Sequence, residues 1–169
     1  MAARTTIFKD ILLVEDDAWD VELMLSVLES SQKAHQVTVV DNGAEALDYL
    51  NREGKFEFRT AGNPVFVLLD NKMPKVDGLE VLRFIKATDS LRMIPVVLFT
   101  SSRETSDLQE FYECGGNAYV VKPVDVSEFM NVVQKIMIFW GAINEPPLGC
   151  RTEEVAGGNG SEVLSERKG

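Results

Sequence analysis

Five short apolar runs alternate along the chain with segments of helical period, and this alternation constrains the fold more than any other feature of the sequence. Residues 11–15 and 65–70 are apolar up to a final carboxylate, as expected of strands buried on both faces of a parallel sheet. Three further runs occupy residues 37–40, 96–100 and 118–121. Strands that alternate with helices predict an α/β protein with a five-stranded parallel, doubly wound sheet. Such a sheet places its ligand site at the carboxyl ends of the strands.

Four of the five predicted strands end on residues that can do chemistry. In chain order these residues are Glu15, Asp16, Asp17, Asp70, Thr100 and Lys122. Carboxylates gathered this closely repel one another, by about 4 kcal/mol for two unit charges about 4 Å apart at an effective dielectric constant of about 20. The sequence therefore predicts a bound cation, and Mg²⁺ fits because it takes oxygen ligands from carboxylates and from a phosphoryl group.

With Mg²⁺ present, Asp70 is predicted to act as a nucleophile and to form an aspartyl phosphate. Mg²⁺ and the Lys122 ammonium then balance the charge on the phosphoryl oxygens, and the Thr100 hydroxyl donates to one of them. Lys122 is also expected to pair with Asp70 before phosphorylation. On this interpretation the chain is a phosphoacceptor that catalyses only its own phosphorylation and dephosphorylation, and it is not otherwise an enzyme.

Each of these residues has a simpler interpretation when it is taken alone. The acids at residues 15–17 are typical of a turn or of a helix N-terminus, where the helix dipole favours negative charge. Asp70 and Thr100 can simply end strands, and Lys122-Pro123 is typical of a loop. The functional interpretation depends on their arrival at one edge of the sheet.

Four segments carry a resemblance to a known family: LLVEDD (residues 12–17), LLDNKMPKVDGLEVL (residues 68–82), VVLFTSS (residues 96–102) and AYVVKP (residues 118–123). Together they resemble the receiver domains of two-component response regulators, in the CheY-like superfamily. The resemblance covers residues 9–140 and implies a (βα)5 flavodoxin-like doubly wound receiver fold. It also implies a phosphorelay in which a sensor histidine kinase supplies the phosphoryl group.

The resemblance gives a role to each matching position. The implied metal ligands are Glu15, Asp16, Asp70 and the main-chain carbonyl of Lys72. The implied phosphoryl-binding residues are Asp70, Thr100 and Lys122, and the implied switch residues are Thr100 and Tyr119. An aromatic ring with a polar tip suits the switch because it can turn inward when Thr100 moves towards a phosphoryl group. Phosphorylation is then expected to change the surface of the fourth helix, fifth strand and fifth helix.

The sequence departs from the family pattern at several positions. Asp17 adds a third acid at the metal site, and Asn71 is polar where many receivers carry an apolar residue. Lys72 and Ser102 occupy the two positions that tune the lifetime of the phosphoryl group in this family. The long segment at residues 51–63 and the long fifth helix resemble the small stand-alone regulators that serve phytochrome-type histidine kinases.

We predict a receiver domain over residues 7–144, with an extended fifth helix, and a flexible tail over residues 145–169, which lack aromatic residues. Residues 136–140 are five large apolar residues in a row. Core packing uses only one face of the fifth helix, so we expect another segment or another chain to bury the second apolar face. Either the tail folds back over this face or the fourth and fifth helices form a homodimer, which is the interpretation that we favour. Cys114 is expected to be a small buried residue and Cys150 to lie in the tail.

Composition excludes several other classes of protein. The net charge of −10 argues against a direct nucleic-acid partner, because such binding uses Lys and Arg against phosphates. No apolar run is long enough to span a membrane, the N-terminus does not look like a secretory signal, and a cytoplasmic location is expected. The predicted tail is too short and polar to be a DNA-binding output domain.

Other functions use a similar fold or a similar intermediate. A phosphatase of the haloacid dehalogenase type also forms an aspartyl phosphate, but it needs a second aspartate at the position of Lys72. A flavodoxin-like cofactor binder needs a neutral phosphate cradle where residues 15–17 are acidic. A degenerate receiver that serves only as a protein-binding module stays open as an alternative.

Overall fold

All five predicted strands form: β1 (Lys9–Val14), β2 (His35–Val40), β3 (Phe66–Leu69), β4 (Val96–Thr100) and β5 (Ala118–Val121). The computed structural model describes residues 9–30, 35–59 and 62–150. Within it the strands pair in parallel in the order β2-β1-β3-β4-β5. The predicted five-stranded parallel sheet is therefore confirmed, with β1, β3 and β4 at its centre.

Helices follow each strand: α1 (Ala18–Ser30), α2 (Gly43–Asn51), α3 (Gly78–Ala87), α4 (Thr105–Glu113) and α5 (Val126–Ile138). A π-helical turn (Phe139–Ile143) extends α5 beyond Ile138. A 3₁₀ turn (Gly54–Phe56) lies in the long segment before β3. No helix of the described residues combines the length and apolarity needed to cross a bilayer.

The sheet is covered on both faces because alternate residues of its strands point to opposite sides. Leu12 and Val14 of β1 pack with residues of α2, α3 and α4. Ile11 and Leu13 of the same strand pack with residues of α1 and α5. The continuous apolar run of β1 is thus explained by burial on both faces, and the result is a doubly wound, three-layer fold.

The start of α3 is fixed close to the end of β3 by local sequence. Asp77 caps the helix by accepting from the main-chain N–H of Glu80, whose carboxylate accepts from the Asp77 N–H in return. A Cβ on Gly78 would collide with the main-chain oxygen of Asp70, so only glycine lets the helix begin there. This close approach holds Asp70 and the loop after it against α3.

Residues 145–150 do not behave as the predicted tail. The main-chain carbonyl of Gly149 accepts a hydrogen bond from Asn63 at 2.9 Å, and Cys150 is only 2% exposed, in the core on the α3 side of the sheet. The prediction that Cys150 lies in a flexible tail was therefore wrong. Cys114 is half-buried rather than fully buried. The rest of the predicted tail, and residues 7 and 8 of the predicted domain, lie outside the described residues.

Candidate functional site

The carboxyl edge of the sheet carries the predicted cluster of acids. Glu15 and Asp16 follow β1, and Asp70 follows the neighbouring strand β3. One carboxylate oxygen from each of the three lies within 4.8 Å of the others. Glu15 and Asp70 are buried, 2% and 7% exposed, whereas Asp16 is exposed. The edge therefore combines two buried acids with one that faces solvent.

Burial shapes the electrostatics of these acids. It raises the pKa of Glu15 to about 7, although a hydrogen bond and the charge of Lys122 act in the opposite direction. Burial likewise raises the pKa of Asp70, again against the nearby Lys122 ammonium. Ionising these buried acids costs free energy. A bound cation lowers that cost because it neutralises their negative charge. Three convergent carboxylates are the hard oxygen ligands that Mg²⁺ or Mn²⁺ takes, so the residues fit a divalent metal.

Lys122 lies in this cluster, but its closest partners differ from the prediction. Its ammonium is 2.7 Å from Glu15 Oε2 and 2.8 Å from Asp20 Oδ2, against 3.6 Å from Asp70 Oδ1. Burial alone would lower the pKa of Lys122, but the hydrogen bonds with Asp20 and Glu15 outweigh burial and raise it. The expected pairing with Asp70 is thus the longest of three contacts.

Asp20 was missed by the sequence analysis. It lies in the first turn of α1, where an acidic residue is ordinarily explained by the helix dipole. Asp17, by contrast, is separate from the three-carboxylate group: its carboxylate accepts from the main-chain N–H groups of Trp19 and Asp20 at 2.9 and 3.0 Å. The simple interpretation as a helix-start acid is therefore correct for Asp17, whereas Asp20 contacts the lysine.

The predicted switch residues lie beside the cluster. Thr100 ends β4 and is fully buried, and its hydroxyl oxygen accepts from the Ser102 N–H at 3.2 Å. The Tyr119 hydroxyl donates to the Ser102 main-chain oxygen at 3.1 Å. The half-buried Tyr119 ring meets Phe111 of α4 edge-on, with ring centroids 5.6 Å apart. Tyr119 is thus turned inward, against the loop that follows Thr100.

The loop after Asp70 contains the two remaining positions of interest. The Lys72 side chain is exposed, and its ammonium lies 3.9 Å from Glu104; metal binding by its main-chain carbonyl stays a prediction. Asn71, noted in the sequence only as a departure, is buried, and its side chain accepts from the Leu79 N–H and donates to Asp107. In the sequence, the only indication of this contact is that a polar residue, Asn71, follows the candidate nucleophile Asp70.

The fold and the edge together define a class of protein: a doubly wound domain with an acid cluster that fits a divalent metal, a lysine and a hydroxyl at the carboxyl edge of its sheet. Comparison with known proteins gives the family. The model of the response regulator receiver domain matches residues 11–134. The chain therefore belongs to the response regulator receiver family, whose members are signalling proteins of two-component phosphorelays.

Several relatives are similar over most of their length. Response regulator Rcp1 of Synechocystis sp. is 37% identical over 132 residues, which cover 78% of this chain and 88% of Rcp1. The Mn²⁺-bound crystal structure of Rcp1 matches with a TM-score of 0.78 and 36% identity, over 82% of this chain and 99% of that one.

Two other solved structures extend the comparison. The phosphorylated cyanobacterial phytochrome response regulator RcpA has a TM-score of 0.79 and 36% identity, over 83% of this chain and 99% of that one. The bacteriophytochrome response regulator RtBRR is 55% identical with a TM-score of 0.66, over 85% of this chain and 86% of that one. The chain is thus similar to regulators that are named for phytochromes.

Proposed function

We propose that Asp70 accepts a phosphoryl group from the phosphohistidine of a sensor histidine kinase, with Mg²⁺ held by Glu15, Asp16 and Asp70. The observation that carries this proposal is the approach of these three carboxylates to within 4.8 Å, beside the Lys122 ammonium. A bound Mg²⁺ would neutralise charge on the acids and on the phosphoryl oxygens. The main-chain carbonyl of Lys72 is proposed as a further ligand.

The chain's own residues carry the transfer. An Asp70 carboxylate oxygen attacks phosphorus, the bond from phosphorus to the histidine nitrogen breaks, and the imidazole leaves with the bonding electron pair. Lys122, which lies 3.6 Å from Asp70, pairs with the negative phosphoryl oxygens. The buried Thr100 hydroxyl donates to one of these oxygens once the group is in place. The position of each side chain at one edge of the sheet supports these roles.

The proposed output is the surface formed by α4, β5 and α5. Movement of Thr100 towards the phosphoryl group would act on Tyr119 through Ser102, to which both are hydrogen-bonded. Exposed apolar side chains lie on both helices of this surface, with Tyr112 on α4 and Ile138 at the end of α5. Their exposure supports a homodimer through this surface, whose partner copy would cover them.

A phytochrome-type kinase is the proposed source of the phosphoryl group. The support is the similarity to RcpA and RtBRR, which are named as a phytochrome and a bacteriophytochrome response regulator. A cytoplasmic location is also part of the proposal, because both cysteines of the chain are free thiols, as a reducing compartment would keep them.

The phosphoacceptor proposal is tested with acetyl phosphate and Mg²⁺. The unmutated protein should gain the mass of one phosphoryl group in a base-labile form, since an acyl phosphate hydrolyses readily in base. Asp70→Asn should show no gain. Asp89→Asn, a change of the same kind at an exposed aspartate, should be phosphorylated normally. No gain in the unmutated protein would favour a receiver that serves only as a binding module.

The homodimer is tested separately by analytical sedimentation, with and without acetyl phosphate. Replacing the exposed Phe139 by serine should weaken association, because this residue begins the π-helical turn that extends α5 and is 48% exposed. Leu148→Ser removes another exposed apolar side chain outside the three elements and is the matched control. A protein that stays monomeric at high concentration in both states would refute the dimer and leave the phosphoacceptor proposal intact.

A further inference from the structure

A hydrogen-bond network joins the loop that follows Asp70 to the loop that follows Thr100. At its centre is Asp107, in the first turn of α4. The Oδ2 atom of Asp107 accepts from the Asn71 side-chain amide at 3.3 Å and from the Ser102 hydroxyl at 2.7 Å. One carboxylate oxygen therefore contacts both loops, and hydrogen bonds to a charged acceptor are the stronger kind.

The Asn71 end of the network is fixed against α3. The Asn71 side-chain oxygen accepts from the Leu79 N–H at 3.3 Å, and its main-chain oxygen accepts from the Gly78 N–H at 2.9 Å. Because both groups are held, the Asn71 amide is oriented towards Asp107. An apolar side chain at residue 71 would fill the space but could not make this contact.

The Ser102 end of the network meets the switch residues. The Ser102 N–H donates to the Thr100 hydroxyl oxygen, and the Ser102 carbonyl accepts from the Tyr119 hydroxyl. The Ser102 hydroxyl also accepts from the Glu104 N–H at 3.3 Å. Ser102 thus contacts Thr100 and Tyr119 through its main chain, and Asp107 through its side chain.

An acidic residue in the first turn of a helix is usually explained by the helix dipole alone. That explanation does not require contacts outside the helix, whereas the two hydrogen bonds of Asp107 both reach other segments. It also predicts that Asp107 affects the Tyr119 ring only through its charge, as the neighbouring Glu104 does. The two explanations can therefore be separated by experiment.

We propose that Asp107 is a positioning residue that couples the phosphoryl site to the switch, by holding Asn71 and Ser102 together so that the Ser102 carbonyl stays in reach of the Tyr119 hydroxyl. This inference rests on the proposed function of Asp70 and Tyr119. When Thr100 moves towards a phosphoryl group, Ser102 moves with it, and the Asp107 carboxylate passes that movement to the start of α4.

The first test needs no phosphoryl group. The chain has three tyrosines, so 3-fluorotyrosine labelling gives three ¹⁹F resonances, and Tyr119→Phe assigns the one of interest. Asp107→Ala should shift the Tyr119 resonance and leave that of Tyr49, in α2, unchanged. Asp107→Asn keeps an acceptor oxygen and should cause a smaller shift. Glu104→Gln removes an exposed carboxylate of the same loop whose charge also acts on Tyr119, so it is the matched control for loss of charge and should cause a much smaller shift than Asp107→Ala.

An unmoved Tyr119 resonance in Asp107→Ala would overturn the proposal, and so would an equal shift in Glu104→Gln. Circular dichroism checks that each variant folds. If Asp107→Ala fails to fold, Asp107→Asn is compared with Glu104→Gln by the same criterion, because both variants exchange a carboxylate for an amide.

The second test is a double-mutant cycle on the affinity for beryllofluoride with Mg²⁺, a mimic of the aspartyl phosphate. Asp107→Ala and Tyr119→Phe should each weaken binding, and the double variant should bind about fivefold more tightly than independent effects predict. Independent effects would overturn the coupling. If the unmutated protein binds no beryllofluoride, the proposed function fails, whereas the fluorotyrosine measurement still decides the role of Asp107.

Discussion

The two ends of the sheet both bury charged side chains, but they balance those charges differently. At the carboxyl end, the carboxylates of Glu15, Asp20 and Asp70 lie 2.7 to 3.6 Å from the one ammonium of Lys122. Asp16 adds a fourth acid to this edge. Acids therefore exceed the lysine that contacts them, and the excess is concentrated where the central strands end.

At the amino end, the described residues include one buried acid, Asp10, on which the charge of Arg59 acts. Burial raises the pKa of Asp10, and the charge of Arg59 acts against that rise. The Arg59 guanidinium also lies over the Tyr49 ring, 4.1 Å from its centroid, and donates to the Gly62 carbonyl at 2.7 Å. This arrangement anchors the long segment before β3 to the sheet. A buried acid that is opposed by a base can thus serve structure, whereas an excess of buried acids at one edge indicates a binding site.

Removing Lys122 is expected to have the largest effect of the changes that test this comparison. In Lys122→Met, the rate of phosphorylation by acetyl phosphate should fall about 100- to 1000-fold, because a charge that stabilises the transferring group is lost. The affinity for Mg²⁺ should not fall, because a neighbouring positive charge has been removed. Time courses by mass spectrometry and calorimetric titration measure the two quantities.

Lys135→Met, an exposed position of α5, is the control for Lys122→Met and should change neither quantity. A parallel loss of Mg²⁺ affinity and rate in Lys122→Met would contradict the proposed role. It would mean that the lysine holds the acids in place, as Arg59 does at the other end.

Arg59→Met should lower the stability of the protein without changing the rate of phosphorylation. We expect the free energy of unfolding to fall by about 2 kcal/mol, because the contact with Tyr49 and the compensation of buried Asp10 are both lost. Urea unfolding measures the change, and the phosphorylation rate of the folded variant should equal that of the unmutated protein. Arg92→Met, whose exposed guanidinium lies 3.8 Å from Asp89, should cost far less. A reduced phosphorylation rate in Arg59→Met would contradict the proposal that the amino end of the sheet has only a structural role.

The raised pKa of Glu15 gives the carboxyl end a pH dependence. A protonated carboxyl group does not bind metal, so the affinity for Mg²⁺ should increase about tenfold from about pH 6 to about pH 8. The midpoint follows from the Glu15 pKa of about 7 in the metal-free protein. Without metal, stability should fall as pH rises from 4.5 to about 7, because the native state holds a proton that the unfolded state has released. Glu15→Gln should flatten both profiles, and steep profiles in that variant would contradict the assignment.

The sequence was sufficient for the fold and for the outline of the site. The continuous apolar runs of β1 and β3 indicated strands buried on both faces, and the rule for doubly wound sheets then brought Glu15, Asp70 and Lys122 to one edge. The Asp77 cap and Gly78 at the start of α3 are likewise features of the local sequence. These features are local or periodic, so they can be recognised without knowing how the layers pack.

Contacts between layers could not be predicted in the same way. Asp20 contacts Lys122 because of the rotation of α1 relative to the sheet, and helical periodicity alone does not fix that rotation. Asp107 contacts Asn71 because α4 begins beside the loop after β3. Residues 145–150 were predicted to belong to a tail that lacks aromatic residues, yet the Gly149 carbonyl accepts from the Asn63 N–H and Cys150 packs in the core.

The two cysteines provide the smallest and most local test, because they report whether residues 145–150 belong to the domain. Burial raises the pKa of the Cys150 thiol, with the Lys86 charge acting against it, and the residue is 2% exposed, whereas Cys114 is half-buried. Cys150 should therefore react with a thiol reagent about fivefold more slowly than Cys114 in the native protein. Cys114→Ser and Cys150→Ser isolate the two rates, which should converge in denaturant. Equal rates in the native protein would mean that Cys150 leaves the core readily, and that the domain ends before this segment.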